Sequence, residues 1–236
     1  MIPIQKKAEP VGLTHLRQKA VDASLSPKAA YDKLRNPLKK QVRDSLVEEQ
    51  GQLCAYCMCK IPRTDADLQI TPIIIEHITP RDPVDGLDAG QGLDYYNFVA
   101  VCHGNKGPHG TRTIADLTCD AHKANVEFRK INPCKSETLA SIFYSLDGKI
   151  DASDSDVHFD LVSILNLNCV SSPLIAERKA VLDSLITEIG SKTDDNILPY
   201  CTSTLDAFRA ETNPKTPYVG ILIWYLQTMI AALSAT

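Results

Sequence analysis

Four cysteines in this sequence have a spacing that could hold a metal ion. Cys54 and Cys57 are separated by two residues, as in a zinc knuckle that grips one side of a tetrahedral ion. Cys102 and Cys119 are the best candidates for the second pair, because each ends or follows a short apolar segment and a loop rich in glycine and histidine separates them. Competitors for the same coordination places are Cys59, His103, His109 and His122. The pattern predicts a structural zinc ion with four protein ligands and no open position.

Polar groups also adjoin two short apolar runs between these cysteine pairs. Ile73–Ile75 lead into Glu76 and His77, whose side chains would point to opposite faces of a strand. Asn97 directly precedes the second run, Phe98–Val101. Carboxylates bind divalent cations and an imidazole exchanges protons near neutral pH, so acid–base or metal-assisted chemistry is one interpretation. The alternative is that His77 is a structural residue at a strand end.

The order of these motifs resembles the HNH endonuclease family, whose core has the ββα-metal fold. The motifs are CxxC, Glu-His-Ile-x-Pro, Asn-Phe, a further Cys and Cys-Asp-x-x-Lys, and the resemblance covers about seventy residues. More narrowly, the segments CAYC, EHITP, YYNFVAVCHG and CDAHKAN are similar to the PtuB-type HNH nucleases of Septu and retron-associated antiphage defence systems. The resemblance implies a nuclease that cleaves DNA, or RNA such as tRNA.

The resemblance also implies a role for each polar residue. Phosphodiester hydrolysis needs a deprotonated water molecule, a cation that stabilises the departing oxygen, and fixed geometry. His77 would be the general base, and Asn97 would hold the loop and orient His77. Glu76 and Asp120 would bind a divalent catalytic ion, Mg²⁺ or Mn²⁺. The family more often has His or Asn directly after the last cysteine, so His122 is an alternative to Asp120.

Helices are predicted before the cysteine-rich region. Residues 1–25 are expected to form an extended arm, because the chain begins with two prolines and no clear period. Ser26-Pro27 is typical of a helix start, and the helical pattern restarts at Pro37 and ends at Gly51. Candidates for substrate binding on the restarted helix and after the last cysteine are Lys39, Lys40, Arg43 and Lys123. Each could equally be a solvated surface residue.

The segment from Leu53 to Asn125 is irregular and rich in Cys, His, Gly and Pro, so it cannot fold by hydrophobic burial alone and a bound metal is expected. Beyond residue 132 the chain is expected to be a helical region that could dock on a partner. It has a hairpin turn at Asp147-Gly148, and helical periodicity over Val157–Leu167, Leu174–Ile189 and Tyr218–Leu233.

The expected fold is therefore α+β and mainly α-helical, with helices flanking a ββα-metal core that contains structural zinc. We expect an arm at residues 1–25, a nuclease domain at residues 26–132 and a helical region at residues 133–236. The apolar stretch near the C-terminus is too short and too interrupted to span a bilayer, and is expected to be a core or partner-facing helix. With no leader-like start, the protein is expected in the cytoplasm, with reduced cysteines and no membrane partner.

The charge is unevenly distributed along the chain. The formal net charge of −4 argues against a generic polyanion-binding protein. Residues 1–63, however, hold 12 basic and 6 acidic residues, a balance of +6, and the remainder hold 13 and 23, a balance of −10. A basic first part beside the candidate site is compatible with a phosphate-containing substrate.

The resemblance implies partners as well: an ABC-type ATPase of the PtuA kind and, in retron systems, a reverse transcriptase with its RNA–DNA product. The sequence has no GxxxxGK[ST] loop, so a partner would have to supply any ATP-dependent step. One rival hypothesis is a noncatalytic zinc-knuckle adaptor that binds protein, in which Glu76, His77 and Asp120 would be replaceable. Another is a zinc hydrolase, which would need an open coordination position on the zinc ion.

Overall fold

The computed structural model describes residues 1–62, 73–81, 92–106 and 112–235. They form an α+β fold with mostly helical structure, as the sequence predicts. The helices are α1 (Val11–Asp22), α2 (Pro27–Tyr31), α3 (Leu38–Glu49), α4 (Cys119–Lys123), α5 (Ser155–Phe159), α6 (Leu174–Gly190), α7 (Asp194–Ala210) and α8 (Val219–Ser234). The strands are β1 (Ile74–His77), β2 (Phe98–Val101), β3 (Ile142–Tyr144) and β4 (Ile150–Ala152). Among the described residues, no helix has the length and apolar character that crossing a bilayer requires.

Strands β1 and β2 form an antiparallel pair at the centre of the cysteine-rich region, with His77 opposite Phe98. Apolar β-branched residues in both strands favour this conformation, and β2 is buried along its whole length. The buried Gln50 side chain, at the end of α3, forms hydrogen bonds with the backbone of β2. Its amide donates to the Ala100 carbonyl at 2.8 Å and accepts from the Ala100 N–H at 2.7 Å. This side chain fixes β2 to the end of α3.

The N-terminal helices confirm part of the sequence prediction and correct another part. The Ser26 side chain caps α2 by accepting from the Ala29 N–H, and α3 begins after Pro37 as predicted. The extended arm predicted for residues 1–25 is wrong for its second half, because Val11–Asp22 is helical. Residues 1–10 have no helix or strand, and the Lys6 ammonium anchors them by an ion pair with Glu49.

The C-terminal part is helical apart from one hairpin. Strands β3 and β4 pair around the predicted turn, where Gly148 has a φ of +90°. Helix α5 widens into a π-helical turn at Asp160–Ile164, within the predicted helical segment. Helix α7, which sequence periodicity did not predict, contains Pro199 and packs against α6 and α8. The first half of α8 is buried, as expected of a core helix, and its second half is partly exposed.

Hydrogen bonds connect this helical part to the cysteine-rich region. The fully buried Asp160 carboxylate accepts from the backbone N–H groups of residues 129–131 at 2.8 to 2.9 Å. The Cys119 N–H donates to the Leu165 carbonyl at 2.8 Å. The π-helical turn thus supports the start of α4, and the domain boundary expected near residue 132 stays a prediction.

Candidate metal centre and active site

Four buried cysteines lie together, and they are the four that the sequence predicts as zinc ligands. The Sγ atoms of Cys54, Cys57, Cys102 and Cys119 are all within 4.8 Å of one another. Two of these separations, Cys57 to Cys102 and Cys102 to Cys119, are 3.7 Å. A tetrahedral zinc ion with Zn–S bonds of about 2.3 Å separates its ligands by about 3.8 Å. This cysteine cluster therefore has the geometry to hold a structural metal ion.

The thiols of the cysteine cluster influence one another strongly. Neighbouring thiols, with Cys119 first, lower the pKa of Cys102 to about 5, so that this group favours the thiolate form, whereas the contact with Cys102 raises the pKa of Cys57 and of Cys119 well above the usual value. The Cys102 N–H in turn lies 3.4 Å from the Cys54 sulfur, where it can donate to a thiolate. A thiolate is the form that binds a metal ion, and buried thiolates close together repel one another without one.

The competing ligands take other positions. The Cys59 thiol is buried beside the cysteine cluster, but it is not one of the four whose ligand atoms lie within 4.8 Å of one another. The His122 Nδ1 donates to the Ile164 carbonyl at 2.8 Å. The His103 Nδ1 is buried without a hydrogen-bond partner among the described residues. His109 lies outside the described residues, so its candidacy stays a prediction.

Local backbone geometry brings the two cysteine pairs together. The Cys54 N–H donates to the Cys59 carbonyl at 2.9 Å, which closes the knuckle around Cys57. After Cys102 the chain turns at Gly104, whose φ is +63°. A Cβ at Gly104 would lie 2.1 Å from the Thr118 carbonyl oxygen, so only glycine fits this turn. The turn returns the chain toward Cys119 at the start of α4.

Glu76, in β1, is buried between groups from α4. The Lys123 ammonium donates to its carboxylate at 2.8 Å and is itself only 1% exposed. Burial, followed by the charge of the nearby Asp120 carboxylate, raises the pKa of Glu76 to about 8, and Lys123 opposes this rise. A buried carboxylate with a second, half-buried one nearby is a favourable arrangement for binding a divalent cation.

His77 contacts a different set of groups. Its ring packs edge-to-face against Tyr31 and Phe98, with centroids 4.8 Å away in both cases. Its Nε2 is 3.1 Å from the Gly92 carbonyl oxygen, which can only accept, so Nε2 carries the hydrogen. Burial, with help from the charges of Arg81 and Lys123, lowers the pKa of His77 to about 4. The ring is therefore neutral at pH 7, and its Nδ1 carries the lone pair that can accept a proton.

Asn97 holds the chain just after His77. Its side-chain amide donates to the Thr79 carbonyl and accepts from the Thr79 N–H, both at 2.9 Å. Its own carbonyl accepts from the Ile78 N–H at 2.9 Å. These three hydrogen bonds fix the turn that follows β1, in agreement with the expected position of Asn97 beside the motif loop.

Asp120 and His122 face different surroundings although both lie on α4. Asp120 is close enough to Glu76 to raise the pKa of that carboxyl. His122 instead reaches the π-helical turn of the C-terminal part. Of the two residues that could be the third member of the motif, Asp120 is the one beside Glu76. We refer to Glu76, His77, Asn97, Asp120 and Lys123 together as the polar site.

The four basic residues predicted to bind substrate differ in their surroundings. Lys40 pairs with Asp44 at 2.6 Å on an exposed face of α3. The Lys39 ammonium lies 5.2 Å from the centroid of the Tyr31 ring, and Arg43 is half-buried. The Lys123 ammonium is buried against Glu76 rather than directed to solvent. Substrate binding by each of them stays a prediction.

Two residues that contact or adjoin His77 were missed by sequence reasoning. Tyr31 has no motif around it, and its role depends on the tertiary contact with His77. The Arg81 guanidinium lies 4.5 Å from the centroid of the Tyr31 ring. Arg81 directly follows the EHITP motif, so its position in the sequence was a usable signal.

Comparison with known proteins gives one relative with a named activity. No family model matches the sequence. A curated protein of Escherichia coli, "Retron Ec83 putative HNH endonuclease", is 25% identical over 180 residues, with 61% of this chain and 67% of the relative covered. The buried cysteine cluster and the neighbouring carboxylates agree with such a relationship. The similarity supports the HNH endonuclease family for this chain.

Proposed function

We propose that this protein is a metal-dependent HNH nuclease that hydrolyses phosphodiester bonds of DNA or RNA. Strands β1 and β2 with helix α4 would be its ββα-metal core, and the cysteine cluster would hold a structural zinc ion. The observation that carries the proposal is the polar site, in which Glu76, buried near the half-buried Asp120 carboxylate, directly precedes the neutral His77 in β1. The similarity to the named retron protein supports the same activity.

His77 is the proposed general base. Its Nε2–H donates to the Gly92 carbonyl, which orients the ring and leaves Nδ1 to accept a proton from the attacking water molecule. Asn97 acts through the backbone, because its hydrogen bonds to Thr79 fix the segment that carries His77. A base that is neutral and already oriented needs no reorganisation before proton transfer.

Glu76 and Asp120 are the proposed ligands of a divalent cation, Mg²⁺ or Mn²⁺. Such an ion, when bound, stabilises the negative charge that develops on the phosphate and the departing oxygen. Lys123 compensates part of the negative charge of the two carboxylates and lowers the pKa of Glu76 relative to the value that burial alone would impose. Lys123 therefore keeps Glu76 closer to its metal-binding, ionised form.

The biological setting that we propose is antiphage defence. The relative is named after a retron, and the sequence motifs of this chain are similar to those of PtuB-type nucleases. In such a complex an ABC-type ATPase would be the partner, with a retron reverse transcriptase and its RNA–DNA product in retron systems. The helical part after residue 132 would dock on these partners. The nuclease would then depend on them for substrate capture or restraint.

A cleavage assay tests the proposed activity. Plasmid DNA and total tRNA are incubated with the protein and Mg²⁺ or Mn²⁺, alone and with the proteins encoded beside it. We expect cleavage by the wild type and none by His77→Ala. His158→Ala is the matched control, since this exposed histidine pairs with Asp151 at 2.5 Å in the C-terminal part. Equal cleavage by wild type and His77→Ala would contradict the proposed role of His77.

The same assay distinguishes the two candidates for the third motif residue. Asp120→Ala is expected to abolish cleavage, whereas His122→Ala is expected to retain it, because Asp120 is the residue beside Glu76. If no nucleic acid is cleaved with any partner although zinc is bound, a noncatalytic adaptor becomes the better explanation.

A further inference from the structure

Basic residues lie on α3 and just before it. Lys39 and Arg43 are four residues apart on α3, so they are one helical turn from each other. Arg35 precedes the helix, and its carbonyl accepts from the Lys39 N–H at 2.9 Å. Arg81, from the turn after β1, lies beside Tyr31. We call these residues the cation cluster: Arg35, Lys39, Arg43 and Arg81.

Tyr31 connects the cation cluster to His77. The Lys39 ammonium lies 5.2 Å and the Arg81 guanidinium 4.5 Å from the centroid of the Tyr31 ring. The same ring contacts His77 edge-to-face at 4.8 Å. The cations are therefore one aromatic ring away from the proposed general base. Such cation–π contacts fix the position of the charges without neutralising them.

The positive charge of the cation cluster is poorly balanced. Within the described parts of the chain, no carboxylate is paired with any of its four members, in contrast to Lys40, which pairs with Asp44. The Nε of Arg43 is buried without a hydrogen-bond partner among those residues. Burial, and then the charges of the three arginines, lower the pKa of Lys39, against a smaller opposing effect of the Asp32 carboxylate. Like charges kept together in this way favour a polyanionic ligand.

Carboxylates also lie near the Tyr31 ring. Burial, first of several causes, raises the pKa of Tyr31, while Arg81 and Arg43 lower it and Glu76 and Asp120 raise it. Tyr31 is thus close to the cations and to the two carboxylates. A ligand that reaches both groups must carry negative charge where it meets the cation cluster. Where it meets the carboxylates, it must bind together with a cation.

We propose that the cation cluster binds the phosphodiester backbone of the nucleic acid substrate next to the phosphate that is cleaved. This inference rests on the proposed nuclease function. A nucleic acid has regularly spaced phosphates, and a guanidinium can donate two parallel hydrogen bonds to one of them. The backbone would pass over Tyr31 with one phosphate at the carboxylates and its neighbours at the cations. Lys40, on the next face of α3, is excluded from this surface.

Salt-dependent binding tests the proposal. Fluorescein-labelled single-stranded DNA, duplex DNA and single-stranded RNA of 20 nucleotides are titrated with His77→Ala protein without divalent ions, and anisotropy gives the affinity. On the preferred probe, Arg35→Ala and Arg81→Ala are each expected to reduce the slope of log K against log salt by about 1. At 0.1 M salt, the loss of one phosphate contact weakens binding about eightfold. When Arg35→Ala and Arg81→Ala are combined, the slope of log K against log salt should decrease by about 2.

Two controls separate the cation cluster from net charge and from misfolding. Lys179→Ala removes one positive charge from α6, where the lysine pairs with Asp183, and should leave the slope unchanged. Lys40→Ala should change the slope by less than either arginine variant. Thermal unfolding and zinc content are measured for every variant, and only variants that match the parent are compared. An equal decrease of the salt slope in Lys40→Ala and Arg35→Ala would overturn the proposal.

The outcomes also separate this proposal from the proposed function. Wild-type protein that cleaves the probe while the arginine variants bind it as tightly as the parent would overturn the role of the cation cluster and leave the nuclease intact. Binding that depends on the arginines, without cleavage by the wild type under any condition, would support the binding surface and contradict the nuclease. Absence of binding to all three probes would overturn the inference and favour an acidic protein as the ligand.

Discussion

The cysteine cluster and the polar site are both buried groups of acids, but they compensate negative charge differently. In the cysteine cluster four thiols lie within 4.8 Å of one another, an arrangement that could hold a metal ion. In the polar site the chain supplies its own cation, the Lys123 ammonium, at 2.8 Å from Glu76. A region that contains its own counter-charge can fold before a divalent cation binds. Under the proposed function, the first region would hold a structural ion and the second an exchangeable one.

Removal of the proposed zinc ion should have the largest effect, because the irregular region is expected to depend on this ion for its folding. Structural zinc contributes on the order of 10 kcal/mol in small domains. We expect that, after Cys102→Ser or treatment with a strong zinc chelator, this region no longer unfolds cooperatively. Circular dichroism as a function of temperature measures the transition. Cys134→Ser is the control, since Cys134 lies outside the cysteine cluster. The Tm of this variant should stay within about 4 °C of the wild-type value. Unchanged unfolding of zinc-free Cys102→Ser would contradict a structural ion.

Loss of Lys123 should give the second largest effect. Lys123→Met keeps the apolar stem but leaves the buried Glu76 carboxyl, with the half-buried Asp120 nearby, without its cation, and we expect it to reduce the free energy of unfolding by about 3–5 kcal/mol. Mg²⁺ should restore part of this loss if Glu76 and Asp120 bind it. Lys149→Met is the control, because its pair with Asp147 is exposed and contributes about 0–1 kcal/mol. Chemical denaturation with and without Mg²⁺ measures both, and equal losses would argue against a special role for Lys123.

Removal of the Asn97 side chain should affect activity more than stability. Asn97→Ala loses two hydrogen bonds to Thr79, which together contribute about 2 kcal/mol to stability. Because the turn beside His77 is then free to shift, we expect cleavage to slow by about 10-fold to 100-fold. Asn196→Ala, which removes an exposed hydrogen bond to Thr193, is the control. A rate equal to that of the wild type would show that Asn97 does not position His77.

The pH dependence of stability should give the smallest effect. The pKa of Glu76 is about 8 in the folded protein, above its usual value of 4.5, so the folded state holds a proton that the unfolded state has released. Its contribution is full below pH 4.5 and is lost as the pH rises through 8. Between pH 6.5 and 8, without divalent ions, unfolding free energy should fall by about 1.5 kcal/mol. In Glu76→Gln this decrease in unfolding free energy should vanish. An unchanged decrease in that variant would mean that another group causes it.

Much of the candidate site could be predicted because its signals are local in the sequence. The spacing of Cys54 and Cys57, and the position of Glu76 and His77 at the end of an apolar run, depend on only a few neighbouring residues. The capped start of α2 and the hairpin at Asp147-Gly148 are likewise local. Helix α7 was missed because it contains a proline and its apolar residues are interrupted by polar ones.

The amino-acid sequence by itself determined the metal-binding residue types, the order of the motifs and most of the helices, since these follow from spacing and periodicity. Only the tertiary structure decided which side chains meet. Asp120 rather than His122 lies beside Glu76 because α4 is anchored to the π-helical turn through His122. Lys123 is buried against Glu76, and Tyr31 joins Arg81 to His77. These contacts connect residues far apart in the chain, and no local pattern contains the information that brings them together.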